Sequence, residues 1–186
     1  MRGIAQRELI RFVMLGAFAC LLTACASVAP DQTGQPGYAG AEIAPQIETP
    51  DKPLQCVPYA RARSGVNLHG DAVAWWDLAA GKYVRSSEPS VGSVLVLAGY
   101  AGPGRGHVAV VVSMDSARQI RIDHANWLDD GRIYRNDPVI DVSPENDWSA
   151  VRVWDTRDNV LGARTYTVRG FIGPGRDEDQ HVASSE

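Results

Sequence analysis

A surplus of basic residues is missing from this chain of 186 residues, which carries 18 Lys+Arg against 22 Asp+Glu. That absence argues against nucleic acid as a partner, because phosphate backbones are gripped by clustered Lys and Arg. No internal repeat is visible. The glycine-rich stretch Gly102 to Gly106 is not followed by the lysine-serine pair that phosphate binding needs, so it reads as a mobile hairpin loop. Asp129-Asp130-Gly131 lacks the alternating acidic spacing of a calcium loop and reads as a turn between strands. We expect no metal and no cofactor.

Long apolar runs are also missing, with one exception near the start. Phe12 to Leu22 follows Arg2, Arg7 and Arg11, a positive segment and then an apolar one about half the length that spans a bilayer. The run ends at Leu22-Thr23-Ala24-Cys25, which resembles the lipobox of bacterial lipoproteins. The resemblance implies a signal peptide over 1–24, cleavage before Cys25, and a lipid on Cys25 that anchors the protein to a membrane. Ala26 stands where aspartate would resemble an inner-membrane retention signal, so the expected place is the outer membrane, facing the periplasm. Without residues 1–24, three arginines and Glu8 are lost, leaving 15 Lys+Arg against 21 Asp+Glu and a net charge of −6.

Cysteine is scarce: of Cys20, Cys25 and Cys56, the first lies in the signal segment and the second would be lipidated. Cys56 is then a lone thiol in an oxidising compartment, either a small buried hydrophobe or a group with a use.

Residues 25–51 are rich in Pro, Gly, Gln, Ala and Thr without periodicity and read as a disordered tether. Residues 173–186 read as a disordered polar tail, in which His181 is expected to be inert. Between them, 52–172 is one domain's worth of chain. Cys56 to Ser64 reads as a helix ending at Gly65, and Asp71 to Ala80 as a second. Short β-rich runs follow at Val91 to Leu97, Val108 to Ser113, Ile120 to Asn126, Arg132 to Tyr134 and Val151 to Trp154. Helices first and strands after argue for an α+β domain, N-terminal helices packed on an antiparallel β-sheet.

Pro58 is tolerated only in a first helical turn, which puts Cys56 at the helix N-terminus. Unpaired N–H groups and the helix dipole there favour an anion, so the thiol pKa is expected to fall. The same N–H groups would suit an oxyanion. Gln55 is either a further side-chain donor or a helix cap. Tyr59, one turn on, either walls the cleft or belongs to the core.

A thiolate nucleophile needs a base that later protonates the leaving amine. His69 sits in a Gly- and Asn-containing turn and reads as solvated. His107 follows the glycine-rich loop and opens the apolar strand Val108 to Val112, a polar ring at a strand end beside a loop. In the next strand, alternation puts Ile120, Ile122, His124 and Asn126 on the core face. Either His124 or Asn126 could orient the His107 imidazole, whereas Asp123 points toward Arg121 or solvent. Of the five tryptophans, Trp127 is the best placed to line a cleft.

Four blocks now stand in order: Gln55-Cys56 with Tyr59; Pro89 to Val94; Gly106 to Val111; and Asp123 to Trp127. Together they resemble the CHAP family, the cysteine, histidine-dependent amidohydrolase/peptidases among the papain-like peptidoglycan hydrolases. The resemblance implies a papain-like fold, cleavage of amide or peptide bonds in peptidoglycan, Cys56 as nucleophile and His107 as base. Many members have glutamate at the position of His124 and asparagine at that of Asn126, so here a neutral imidazole replaces the acid. Gln55, Tyr59 and Trp127 are then substrate-binding candidates, and the protein is expected to act as a monomer. The competing reading is a catalytically silent descendant that binds cell wall or a partner through the same groove.

Overall fold

A computed structural model of the protein describes residues 44–173. The signal segment, Cys25, most of the tether and the tail beyond Gly173 lie outside the described residues. Strand β1 (Gln46–Glu48) precedes helix α1 (Cys56–Ser64), a 3-10 turn (Ala72–Ala74) and helix α2 (Trp75–Leu78). Seven strands follow: β2 (Arg85–Ser86), β3 (Val94–Ala98), β4 (His107–Ser116), β5 (Gln119–Ala125), β6 (Ile133–Asp141), β7 (Ala150–Asp155) and β8 (Val160–Ile172).

All strand pairings are antiparallel, and β3, β4, β5, β6, β7 and β8 form a ring in which β7 bridges β6 and β8. Of the expected α+β arrangement the antiparallel sheet is present, and the balance of helix and strand is what differs. The domain is mostly β, a closed six-stranded barrel with only two short α-helices. Closure depends on β8, whose outer face is polar and exposed, so its alternation is weak in the sequence. β1 pairs with β6 inside the segment read as tether. The second helix is shorter than read, its first turn being 3-10. Val91 and Gly92 belong to a turn that precedes β3, closed by Ser93 N–H to Ser90 C=O at 3.0 Å.

The unbroken apolar runs of β3 and β4 are buried on both faces. Leu95, Leu97, Ala109 and Val111 point into the barrel with Ile120, Ile122, Val139, Val151 and Phe171. Val94, Val96, Val108 and Val110 point outward, where Ala60, Leu68, Ala72, Trp75 and Ala79 cover them. Each fully buried aliphatic side chain contributes about 1.5–3 kcal/mol, so a two-sided strand is held from both layers.

α1 begins with Pro58 in its first turn and ends where Gly65, at φ 77°, donates its N–H to the Arg61 carbonyl at 3.0 Å. A left-handed C-terminal residue of this kind is usually glycine. Arg61 and Arg63 in the last turn complement the negative end of the dipole.

Candidate active site

Cys56 is the first residue of α1, half-buried and a free thiol. Two contacts fix that helix end: Leu54 N–H donates to the Gly131 carbonyl at 2.9 Å, and Asn126 Nδ2 donates to Gln55 Oε1 at 3.0 Å. The Gln55 side chain makes no capping bond, so of its two readings the cap is excluded. With its oxygen occupied by Asn126, the amide NH2 of Gln55 is its remaining polar end. Gln55, Cys56 and Val57 line a cavity of about 320 Å³ with Gly70 to Ala72 and Gly104 to Gly106.

His107 opens β4 and is 1% exposed. Gly106 before it lies so close to the 3-10 turn that a Cβ would stand 2.6 Å from the Val73 nitrogen. His107 shares the inward phase of Ala109 and Val111. From β5, His124 reaches the same place: its Nδ1 is 2.9 Å from His107 Nε2, both rings buried. The two rings meet edge to face, with centroids 5.1 Å apart. His124 Nε2 in turn is 3.1 Å from Asp137 Oδ2, and Asp137 Oδ1 accepts the Thr156 hydroxyl. Asp137 and Thr156 are absent from the sequence reading.

Burial raises the Cys56 thiol pKa, opposed by the backbone N–H groups of Val108, Val57 and Cys56 and by the Arg105 charge. The expected fall is corrected: removal from water outweighs the helix terminus. Burial, with the nearby His124, holds His107 well below the ordinary imidazole range. Among the described residues no hydrogen bond joins Cys56 to His107. What links them is Val108, the neighbour of His107, whose N–H favours the thiolate.

The remaining candidates disperse. Asn126, at φ 59° just past β5, spends its side chain on Gln55, on Asp129 at 3.3 Å and on the Gly131 N–H at 2.7 Å, and none of it on His107. Tyr59 is corrected to a core residue beside Leu54, Ala125 and Ile133, its hydroxyl accepting from Arg135 at 3.1 Å. Trp127 is buried against His107, His124 and Tyr100, at centroid distances of 4.9, 5.2 and 4.7 Å, and covers the imidazoles rather than lining the cavity of Cys56. Asp123 is buried, not solvated, and is shared by Arg63 and Arg135, each at 3.3 Å. His69 is exposed and meets Arg61 at 2.9 Å. Tyr100, also missed, packs on His107 at 4.9 Å, and burial pushes its phenol up to about 12.

The barrel thus carries a helix-terminal cysteine, Cys56, and a pair of buried imidazoles, His107 and His124, the cysteine linked to the pair through the Val108 N–H. Residues 48–126 match the model of the CHAP domain. Domains of this family are typically hydrolases, amidases or peptidases, acting on peptidoglycan. No curated protein and no solved structure matches the chain.

Proposed function

We propose that the protein is a papain-like, thiol-dependent hydrolase of amide or peptide bonds in peptidoglycan stem peptides, held to the outer membrane by a lipid on Cys25. The observation that carries the reading is the buried His107–His124 contact at 2.9 Å next to a cavity that Cys56 lines. His107 takes the thiol proton as the sulfur attacks the carbonyl carbon. The oxyanion meets the N–H groups of Cys56 and Val57 and the amide of Gln55. Collapse breaks the C–N bond, the proton passes from His107 to the leaving amine, and a thioester remains. Water, deprotonated by the same imidazole, then releases the acid and restores the thiol. His124 orients His107 throughout. Asp71 and Arg105 line the cavity together, opposite charges that suit a peptide carrying both an amine and a carboxylate.

The raised thiol and the missing Cys56–His107 hydrogen bond favour the second reading, a silent binder of cell wall. One experiment separates them: release of new amino groups from purified peptidoglycan by the wild type and by Cys56→Ala, with fragments identified by mass. Release by the wild type alone supports the hydrolase. No release by either, with a Cys56 thiol that alkylates no faster than free cysteine, favours the binder.

A further inference from the structure

Asp137 is a fully buried carboxylic acid inside the barrel, placed there by an irregularity in β6. Ile122 pairs with Asp137 and His124 with Tyr134, so two residue steps on β5 span three on β6. The extra residue is Asn136, in the left-handed region at φ 55°. Such a bulge resets the alternation, which turns both Tyr134 and Asp137 inward.

Resting on the hydrolase reading of this site, we infer that Asp137, supported by Thr156, is a positioning residue that sets the tautomers of both imidazoles and stabilises the charge the pair acquires. A carboxylate only accepts hydrogen bonds. At 3.1 Å from Asp137 Oδ2, His124 Nε2 therefore carries the proton and donates it. His124 Nδ1 is then an acceptor, and His107 Nε2, at 2.9 Å, carries the proton of that contact. This leaves His107 Nδ1 without a proton, as a general base requires. When Nδ1 takes the proton of Cys56, the S–H bond breaks and an N–H bond forms. The His107 ring then releases its Nε2 proton to His124 Nδ1, and the positive charge comes to rest beside the Asp137 carboxylate. No proton moves to the acid. His107, buried with its charged form disfavoured, passes the charge to the ring that has the counter-ion. The titratable groups in contact with this pair are Tyr100 from the loop before β4 and Tyr134 and Asp137 from β6, while Cys56 from α1 and Arg105 from that loop line the neighbouring cavity. Burial raises both phenols, so neither ionises near neutral pH.

The first test needs no substrate: nitrogen-15 NMR of the ring nitrogens in the purified wild-type protein at neutral pH. Protons on Nε2 of both His107 and His124 are expected, and a proton on His107 Nδ1 in the neutral ring overturns the inference. The second test is the rate of Cys56 alkylation by iodoacetamide against pH. Asp137→Asn is expected to slow it at neutral pH by about tenfold and to lower kcat by roughly 10²-fold with little change in KM. Thr156→Val is expected to have a smaller effect in the same direction, and Thr156→Ser to behave as wild type. A folded Asp137→Asn protein with an unchanged alkylation profile and unchanged kcat sinks the proposal. If Asp137→Asn does not fold, the wild-type tautomers and the two Thr156 variants decide. If the wild type releases nothing from peptidoglycan while tautomers and alkylation behave as stated, the hydrolase reading fails and the positioning role stands.

Discussion

Asn126 donates from Nδ2 to Gln55 Oε1 at 3.0 Å, joining two residues 71 positions apart in the chain. Asn126 thus works on the start of the helix that carries Cys56 and not on the histidines. Removing the Gln55 amide in Gln55→Ala is expected to lower kcat by about 10²-fold, the usual effect of losing one oxyanion donor. Asn126→Ala leaves that amide present but unaimed and is expected to cost on the order of tenfold. Steady-state kinetics on purified muropeptides check both. A rise in KM at constant kcat would assign the pair to substrate binding instead.

His107 makes stability fall in acid. Its folded pKa lies below the unfolded value of about 6.5, because burial and His124 disfavour the charged ring. Below about pH 6.5 the unfolded chain binds a proton that the folded chain refuses. Stability present above that pH is therefore lost as the pH drops toward the depressed folded value, by up to about 1.4 kcal/mol per pH unit. Denaturant unfolding between pH 7 and 5 measures the slope, and His107→Gln should flatten it.

Gly106→Ala should be felt at the site as well as in stability. The added Cβ would sit 2.6 Å from the backbone nitrogen of Val73, and backbone cannot swing aside as a side-chain end does. Expected losses are about 1–3 kcal/mol in a urea melt, with His107 shifted from Cys56 and kcat reduced. Equal stability with full activity would show that the 3-10 turn yields.

Arg105 is exposed and favours the thiolate of Cys56 through its charge. Arg105→Glu is expected to slow alkylation of Cys56 at neutral pH by roughly two- to fivefold, an effect that shrinks in high salt because exposed charges are screened. A salt-independent change would mean the loop had moved.

Much of the site's geography is legible in the sequence because its signals are local. Pro58 marks the helix start that carries Cys56. A glycine-rich loop running into Val108 to Val112 marks the strand end that carries His107. The isoleucines at 120 and 122 set the phase that turns His124 inward. Asp137 is illegible by the same logic, since Asn136 breaks the alternation by which inward residues are counted. Tyr59 shows the limit of helical spacing: one turn from Cys56 along the chain, it faces Leu54, Ala125 and Ile133. The thiol's direction of shift depends on how deeply α1 is covered, and covering is a tertiary fact. Barrel closure is hidden for a similar reason, because the outer face of β8 is polar and its inner partners come from β3 and β7.

Ring closure also separates the unit of chemistry from the unit of folding. The segment matching the CHAP domain, 48–126, contains Cys56, His107 and His124, yet it ends one residue after β5. A protein expressed to that boundary would leave β3 and β5 with bare edges, and bare edges invite pairing with other chains. Such a fragment should be recovered as aggregate, whereas a chain reaching Gly173 retains the strands that complete the ring. Boundaries for expression belong at the hydrogen bonds that close the barrel rather than at the last recognisable residue of the family.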